Sequence, residues 1–118
     1  ITLRQNRRFS YLDVRDLPQI LEWFIENNTK YKSYNVVPDD YVELRQIAEI
    51  VRETALHKVD VQVASDGLGL DYYGSNARLK SEMENVSFTE LKESIAKLYK
   101  YYEEHKDLIN CDNLLEDK

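Results

Sequence analysis

The spacing of apolar residues switches repeatedly between a period of two and a period near 3.6, with no Pro-, Gly- or Ser-rich linker between the segments. A chain that alternates strand-like and helix-like stretches in this way has to build one unit in which helices and strands cover each other. Val59, Val61 and Val63 alternate with Asp60 and Gln62, the pattern of a strand with one buried face. Leu17, Ile20, Leu21, Phe24 and Ile25 recur at three- and four-residue intervals, with Asp16 and Pro18 marking a helix start and Asn27-Asn28 its end. Asp39 and Asp40 introduce a second helix with Leu44, Ile47, Ala48, Val51 and Ala55 on one face. Ser75 caps a short third helix through Arg78, Leu79 and Met83. Phe88, Leu91, Ile95, Leu98 and Tyr102 form the stripe of a fourth, with Ser87 and Glu90 spaced as a capping box or Thr89 as a later cap.

The strands expected beside these helices are short. One covers Arg7 to Asp13, one Tyr34 to Val37, one Val59 to Val63 and one Leu70 to Tyr73, with Ser65 to Gly69 as a loop. The fold class is therefore α/β or α+β, with about four helices and short strands. At 118 residues there is room for one core, in a unit expected over 1–106, followed by an acidic tail over 107–118.

Charge narrows the function classes. A formal charge of -6 argues against a nucleic-acid or anionic-membrane binder, which needs clustered Lys and Arg. The charge is nevertheless polarised: Arg4, Arg7, Arg8 and Arg15 gather near one end, while Asp112 to Lys118 carries three acids against one base. Cys111 is the single cysteine, which rules out an internal disulfide and suits a reducing, cytoplasmic setting. No segment has the roughly 18 apolar residues of a membrane span.

Catalytic and metal motifs are sparse. His57 and His105 have no second ligand at a metal spacing and read as surface or capping residues. Gly67-Leu68-Gly69 lacks the third glycine and the strand-to-helix setting of a dinucleotide fingerprint, so it reads as a loop. Tyr102 and Lys106 match Tyr-x-x-x-Lys, but the stripe of the last helix already accounts for Tyr102 as packing. No catalytic, cofactor-binding or metal-ligating residue is therefore expected. The arginines are the better candidates, since a guanidinium binds phosphate through two parallel hydrogen bonds. On a strand Arg7 and Arg8 point to opposite sides, so one can face a cleft while the other meets solvent.

The order of segments resembles a known family. Arg7-x-Phe9-x-Tyr11-Leu12-Asp13, a helix, Tyr34-Asn35-Val36, and a helix with Leu44 and Ile47-Ala48 are similar to the C-terminal part of the extended short-chain dehydrogenases/reductases, the NAD-dependent nucleotide-sugar epimerases and dehydratases. The resemblance continues through Gly67, Ser75-x-Ala77-Arg78-Leu79 and Thr89-x-Leu91-x-Glu93-x-Ile95, covering positions 5 to 105. It implies a substrate-binding lobe in which Arg7 contacts the diphosphate of a nucleotide-sugar, with Arg8 the weaker candidate. It also implies that Asp13 holds its segment to the following helix and that Tyr34-Asn35-Val36 lies beside the cofactor-binding sheet.

The NAD- or NADP-binding Rossmann domain and the catalytic residues are then expected upstream, in an enzyme of about three hundred residues. A homodimer is a further expectation. Departures from the family pattern fall at Val37-Pro38-Asp39, which replaces a Gly-x-Gly, at Glu43 in place of a capping Ser/Thr, and at Glu84-Asn85 in place of Gly-Trp. In the segment from Asp66 to Asp71 a second phosphate-binding arginine is absent. A free-standing acidic protein-interaction module, using the tyrosine-rich last helix, is the alternative reading.

Overall fold

The computed structural model describes residues 1–110, and within them the chain is mixed α/β with four helices and two small sheets. Strand β1 (Thr2–Asn6) pairs in parallel with β4 (Gln62–Leu68), while β2 (Arg8–Phe9) pairs antiparallel with β3 (Val42–Glu43). The helices are α1 (Leu17–Glu26), α2 (Leu44–Thr54), α3 (Ala77–Glu82) and α4 (Leu91–Glu104). A 3-10 turn, Val14–Asp16, leads into α1, and a second, Lys106–Leu108, follows α4 and so crosses the expected boundary at 106. The rest of the expected tail, with Cys111, lies outside the described residues.

β4 takes in Ser65 to Leu68, most of the expected loop at Ser65 to Gly69. Its partner β1 supplies the ladder: Leu3 faces Val63 and Gln5 faces Ser65, after which Asn6 faces Leu68. One step on β1 thus matches three on β4, and the two extra residues, Asp66 and Gly67, form a bulge with Gly67 at φ 75°. The valine run instead enters the ladder only at its end, since Val59 and Val61 precede the strand.

Tyr34 to Val37 is not a strand either. Side chains fix this segment: the Tyr34 hydroxyl donates to Glu82 (2.5 Å) and its ring packs on Phe24 at 5.0 Å, while the Asn35 amide donates to the Ser75 carbonyl (3.2 Å). Asp39 and Asp40 do not open α2. Glu43 precedes that helix, with its N–H donating to Gln46 Oε1 (2.8 Å), while Asp39 binds Lys80 and the Asn76 amide. Only Tyr72 of the expected strand from Leu70 to Tyr73 makes a bridge, to Phe9.

Buried apolar side chains are few among the described residues: Ile20 on α1, Ala48 on α2 and Leu79 on α3. The stripe of α1 splits, with Ile20 fully buried while Leu21 and Ile25 face outward, Ile25 at 85% exposure. On α4, Leu91 and Ile95 are half-buried as expected, but Leu98 and Tyr102 are exposed and Tyr99 turns in, its hydroxyl accepting the Leu56 N–H (3.3 Å).

Two aspartates join the ends of α1 and α4. Asp16 is 6% exposed, and its carboxylate accepts the Thr89 N–H (2.8 Å) and the Thr89 hydroxyl (2.6 Å). Asp13 accepts from the Arg15 N–H (2.9 Å) and guanidinium and from the Ser94 hydroxyl (2.5 Å). The Arg15 hydrogen bonds, with Ser94 adding to them, hold the Asp13 carboxyl well below the usual carboxylate range. The Asn76 amide and Lys80 lower Asp39, and the Tyr34 hydroxyl and Lys30 N–H lower Glu82.

A carboxyl depressed in the folded state stabilises fully above its unfolded value, near about 4, and that stability is lost as pH falls through the folded value. Urea denaturation is thus expected to show stability falling steadily from pH 4 downward. Asp13→Asn should cost about 1.5 kcal/mol at pH 7 and flatten that fall, while an unchanged slope in the variant would remove Asp13 from the account.

Candidate functional site: the strand end at Arg7

β1 and β2 follow each other directly, one in each sheet, and Arg7 is the single residue at the bend between them. Its carbonyl accepts the Leu44 N–H (2.9 Å), which ties the bend to the first turn of α2. The Arg45 N–H goes to Asn6 Oδ1 (3.1 Å), so early α2 donors are already taken by protein acceptors. On the other side β4 ends against the same bend, with the Gly69 N–H donating to the Asn6 carbonyl (2.8 Å) and the Tyr72 N–H to the Arg8 carbonyl (3.0 Å).

The two arginines have different fates. Arg8 is half-buried, lies 3.5 Å from Glu43 and 3.7 Å from Asp71, and sits over the Tyr41 ring at 5.7 Å. Its charge is committed to holding β2, β3 and the segment after β4 together. Arg7 is exposed, and among the described residues its guanidinium forms no ion pair or hydrogen bond. Arg15 is spent on Asp13.

Gly69 sets where Arg7 lies. A Cβ on Gly69 would come within 2.7 Å of Arg7 Nε, 2.9 Å of Arg7 Cγ and 2.7 Å of Gln5 Oε1. Both side chains therefore occupy the space that a larger residue would fill. The sequence marks Gly69 only as part of a loop and does not single out Gln5, although Gln5 is two residues from Arg7 and so shares its side of an extended chain.

Two clefts flank the fold, and Arg7 lines neither. The larger, about 410 Å³, lies between Pro38 to Val42 and Val86 to Lys92, with Asp39, Asp40, Glu90 and Lys92 on its wall. The smaller, about 270 Å³, is bordered by Asn6, Arg45, Ser65 and the β4 bulge. The other singled-out residues take ordinary roles. His105 bonds the Tyr101 carbonyl through Nδ1 (2.8 Å) and stacks on the Tyr101 ring, and His57 is exposed. Lys106 lies 3.7 Å from Glu103, and Tyr102 packs on Tyr101. Gly67 lies in the β4 bulge and opens no helix. Among the described residues no group of His, Cys, Asp and Glu is placed to hold a metal, and no helix is long and apolar enough to cross a membrane.

No protein-family profile, curated protein or solved structure matches this chain.

Proposed function

We propose that this chain is the substrate-binding lobe of an NAD(P)-dependent nucleotide-sugar epimerase or dehydratase, and that Arg7 binds the diphosphate of the nucleotide-sugar. The observation that carries the reading is the contrast between the two arginines of the opening strand. Arg8 is neutralised by Glu43 and Asp71, whereas Arg7 presents an uncommitted guanidinium at a strand end. Phosphate binding needs such a donor, because an arginine already paired to carboxylates has no two-pronged face left to offer.

In this reading the dinucleotide and the chemistry belong to a Rossmann domain packed against the lobe, and this chain supplies no catalytic residue. Exposed apolar side chains support a partner layer on this side of the lobe: Val14 in the turn before α1 and Leu21 and Ile25 on α1 all face outward. A free-standing interaction module is the second reading, favoured by Leu98, Tyr101 and Tyr102, which leave the outer side of α4 apolar and half-exposed.

Calorimetric titration of the intact protein with UDP-, dTDP-, GDP- and CDP-sugars separates the two. At least one should bind, and Arg7→Ala should weaken it by about 2 kcal/mol, or about 30-fold, as expected for a charge-assisted hydrogen bond. Arg8→Ala should instead reduce stability. Unchanged affinity in Arg7→Ala removes the diphosphate assignment, and no binding of any nucleotide-sugar favours the interaction module.

A further inference from the structure

We infer that Gln5 is a second diphosphate donor beside Arg7, and that Gly69 is the positioning residue that lays both side chains over the end of β4. The inference rests on the nucleotide-sugar reading above and adds the residues that shape its site. Gln5 and Arg7 are two apart on an extended stretch, so they leave the chain on one side. Arg7 Nε and Gln5 Oε1 both lie 2.7 Å from the point where a Gly69 Cβ would sit. The two side-chain ends, one from β1 and one from the residue after it, therefore converge onto bare backbone of the neighbouring chain segment.

Neither end is used by the fold. Among the described residues the Gln5 carboxamide has no hydrogen-bond partner, although the residue is half-buried, and the Arg7 guanidinium has none. Neither group is tied up by a protein partner among the described residues, so a ligand has only water to displace from them. Turned by its amide flip, Gln5 presents N–H donors next to those of Arg7, and oxygens of adjacent phosphates can take both. The nearest competing carboxylate on this segment, Asp71, is drawn off by Arg8.

The backbone at Gly69 does not need glycine, since Gly67 is the one glycine with positive φ among the described residues. An alanine fits the main chain at Gly69, and what it displaces is Arg7 and Gln5. Glycine here is explained by the ligand-facing side chains.

The test is a double-mutant cycle on the intact protein, with UDP and inorganic pyrophosphate as calorimetric probes and thermal melting alongside. Gln5→Ala should weaken both probes about 3- to 10-fold, the range of one neutral hydrogen bond. Gly69→Ala should weaken them about 10-fold with the melting temperature unchanged or raised, because losing a glycine restricts the unfolded chain. In an Arg7→Ala background only Gln5 is left to displace, so Gly69→Ala should then cost no more than Gln5→Ala does. Loss of affinity in Arg7→Ala with none in Gln5→Ala and Gly69→Ala overturns the inference and leaves the nucleotide-sugar reading in place. No loss in Arg7→Ala itself overturns both. A Gly69→Ala effect that persists undiminished without Arg7, or that comes with a fall in melting temperature, marks a structural role and overturns the positioning claim.

Discussion

Replacing Asp16 with alanine is expected to destabilise the protein by about 3 kcal/mol, one of the two largest effects of any single change considered. The carboxylate is buried and accepts two hydrogen bonds from one residue, the Thr89 N–H and the Thr89 hydroxyl. Hydrogen bonds to a charged acceptor are worth about 1.5–3 kcal/mol each, but two bonds to one residue do not add fully. The alanine variant also leaves a half-buried backbone N–H without an acceptor.

The consequence is structural as well as energetic. Asp16 stands at the start of α1 and Thr89 just before α4, so these two bonds, between residues 73 apart in sequence, join the starts of the two helices. Urea denaturation should show the midpoint falling with little change in slope. Asp16→Asn keeps one carbonyl acceptor and should lose roughly half as much. Thr89→Val should lose about 1 kcal/mol and show strong non-additivity with Asp16→Ala, since either change removes the hydroxyl bond. Additive losses would mean that the pair does not act as one contact.

Helix positions were readable because they rest on local spacing, whereas strand positions were not. Each of the four recurrences does carry a helix, with Asp16 and Pro18 at the start of α1. But α2 opens at Leu44 after Glu43 instead of after Asp39-Asp40, and α4 opens at Leu91, which leaves Phe88 and the expected caps at Ser87 and Thr89 outside it. β4 could not be placed from Val59, Val61 and Val63 alone, because its ladder belongs to β1 about sixty residues earlier. Nothing local in Ser65-Asp66-Gly67 announces a bulge that β1 imposes. Tyr34 to Val37 has strand-like residues, yet Glu82 and Ser75, distant in sequence, bind its side chains.

The same distinction holds for the candidate site. That Arg7 and Arg8 would point to different sides follows from strand alternation, but which one is paired depends on Glu43 and Asp71, contributed by segments far along the chain. The exposure of Leu98 and Tyr102 was hidden for a related reason. A stripe at helical spacing specifies a face, while the neighbour that covers it is set by tertiary packing, and here Tyr99 turns toward the loop after α2.

Leu79→Ala is the other large effect, expected to cost about 3 kcal/mol. Leu79 is fully buried and is the one buried side chain of α3, a helix of six residues. So short a helix does not hold by its own hydrogen bonds, and burial of an apolar face has to stabilise it. Losing Leu79 should therefore release more than α3. Glu82, at its end, accepts the Tyr34 hydroxyl and the Lys30 N–H (2.9 Å), so the connection from α1 toward β3 loses its anchor when α3 loosens. Amide hydrogen exchange should rise at residues 77–82 and, through Glu82, at Lys30 and Tyr31, whose N–H donates to the Tyr34 hydroxyl (2.9 Å). Exchange in β1 and β4 should change little, because their ladder and the Arg7 bend do not rest on α3. Leu79→Met, close in volume, should lose less than about 1.5 kcal/mol and leave the Glu82 contacts protected. Protection at Lys30 and Tyr31 that survives Leu79→Ala would show that the Tyr34–Phe24 packing on α1, at 5.0 Å, holds that connection without α3.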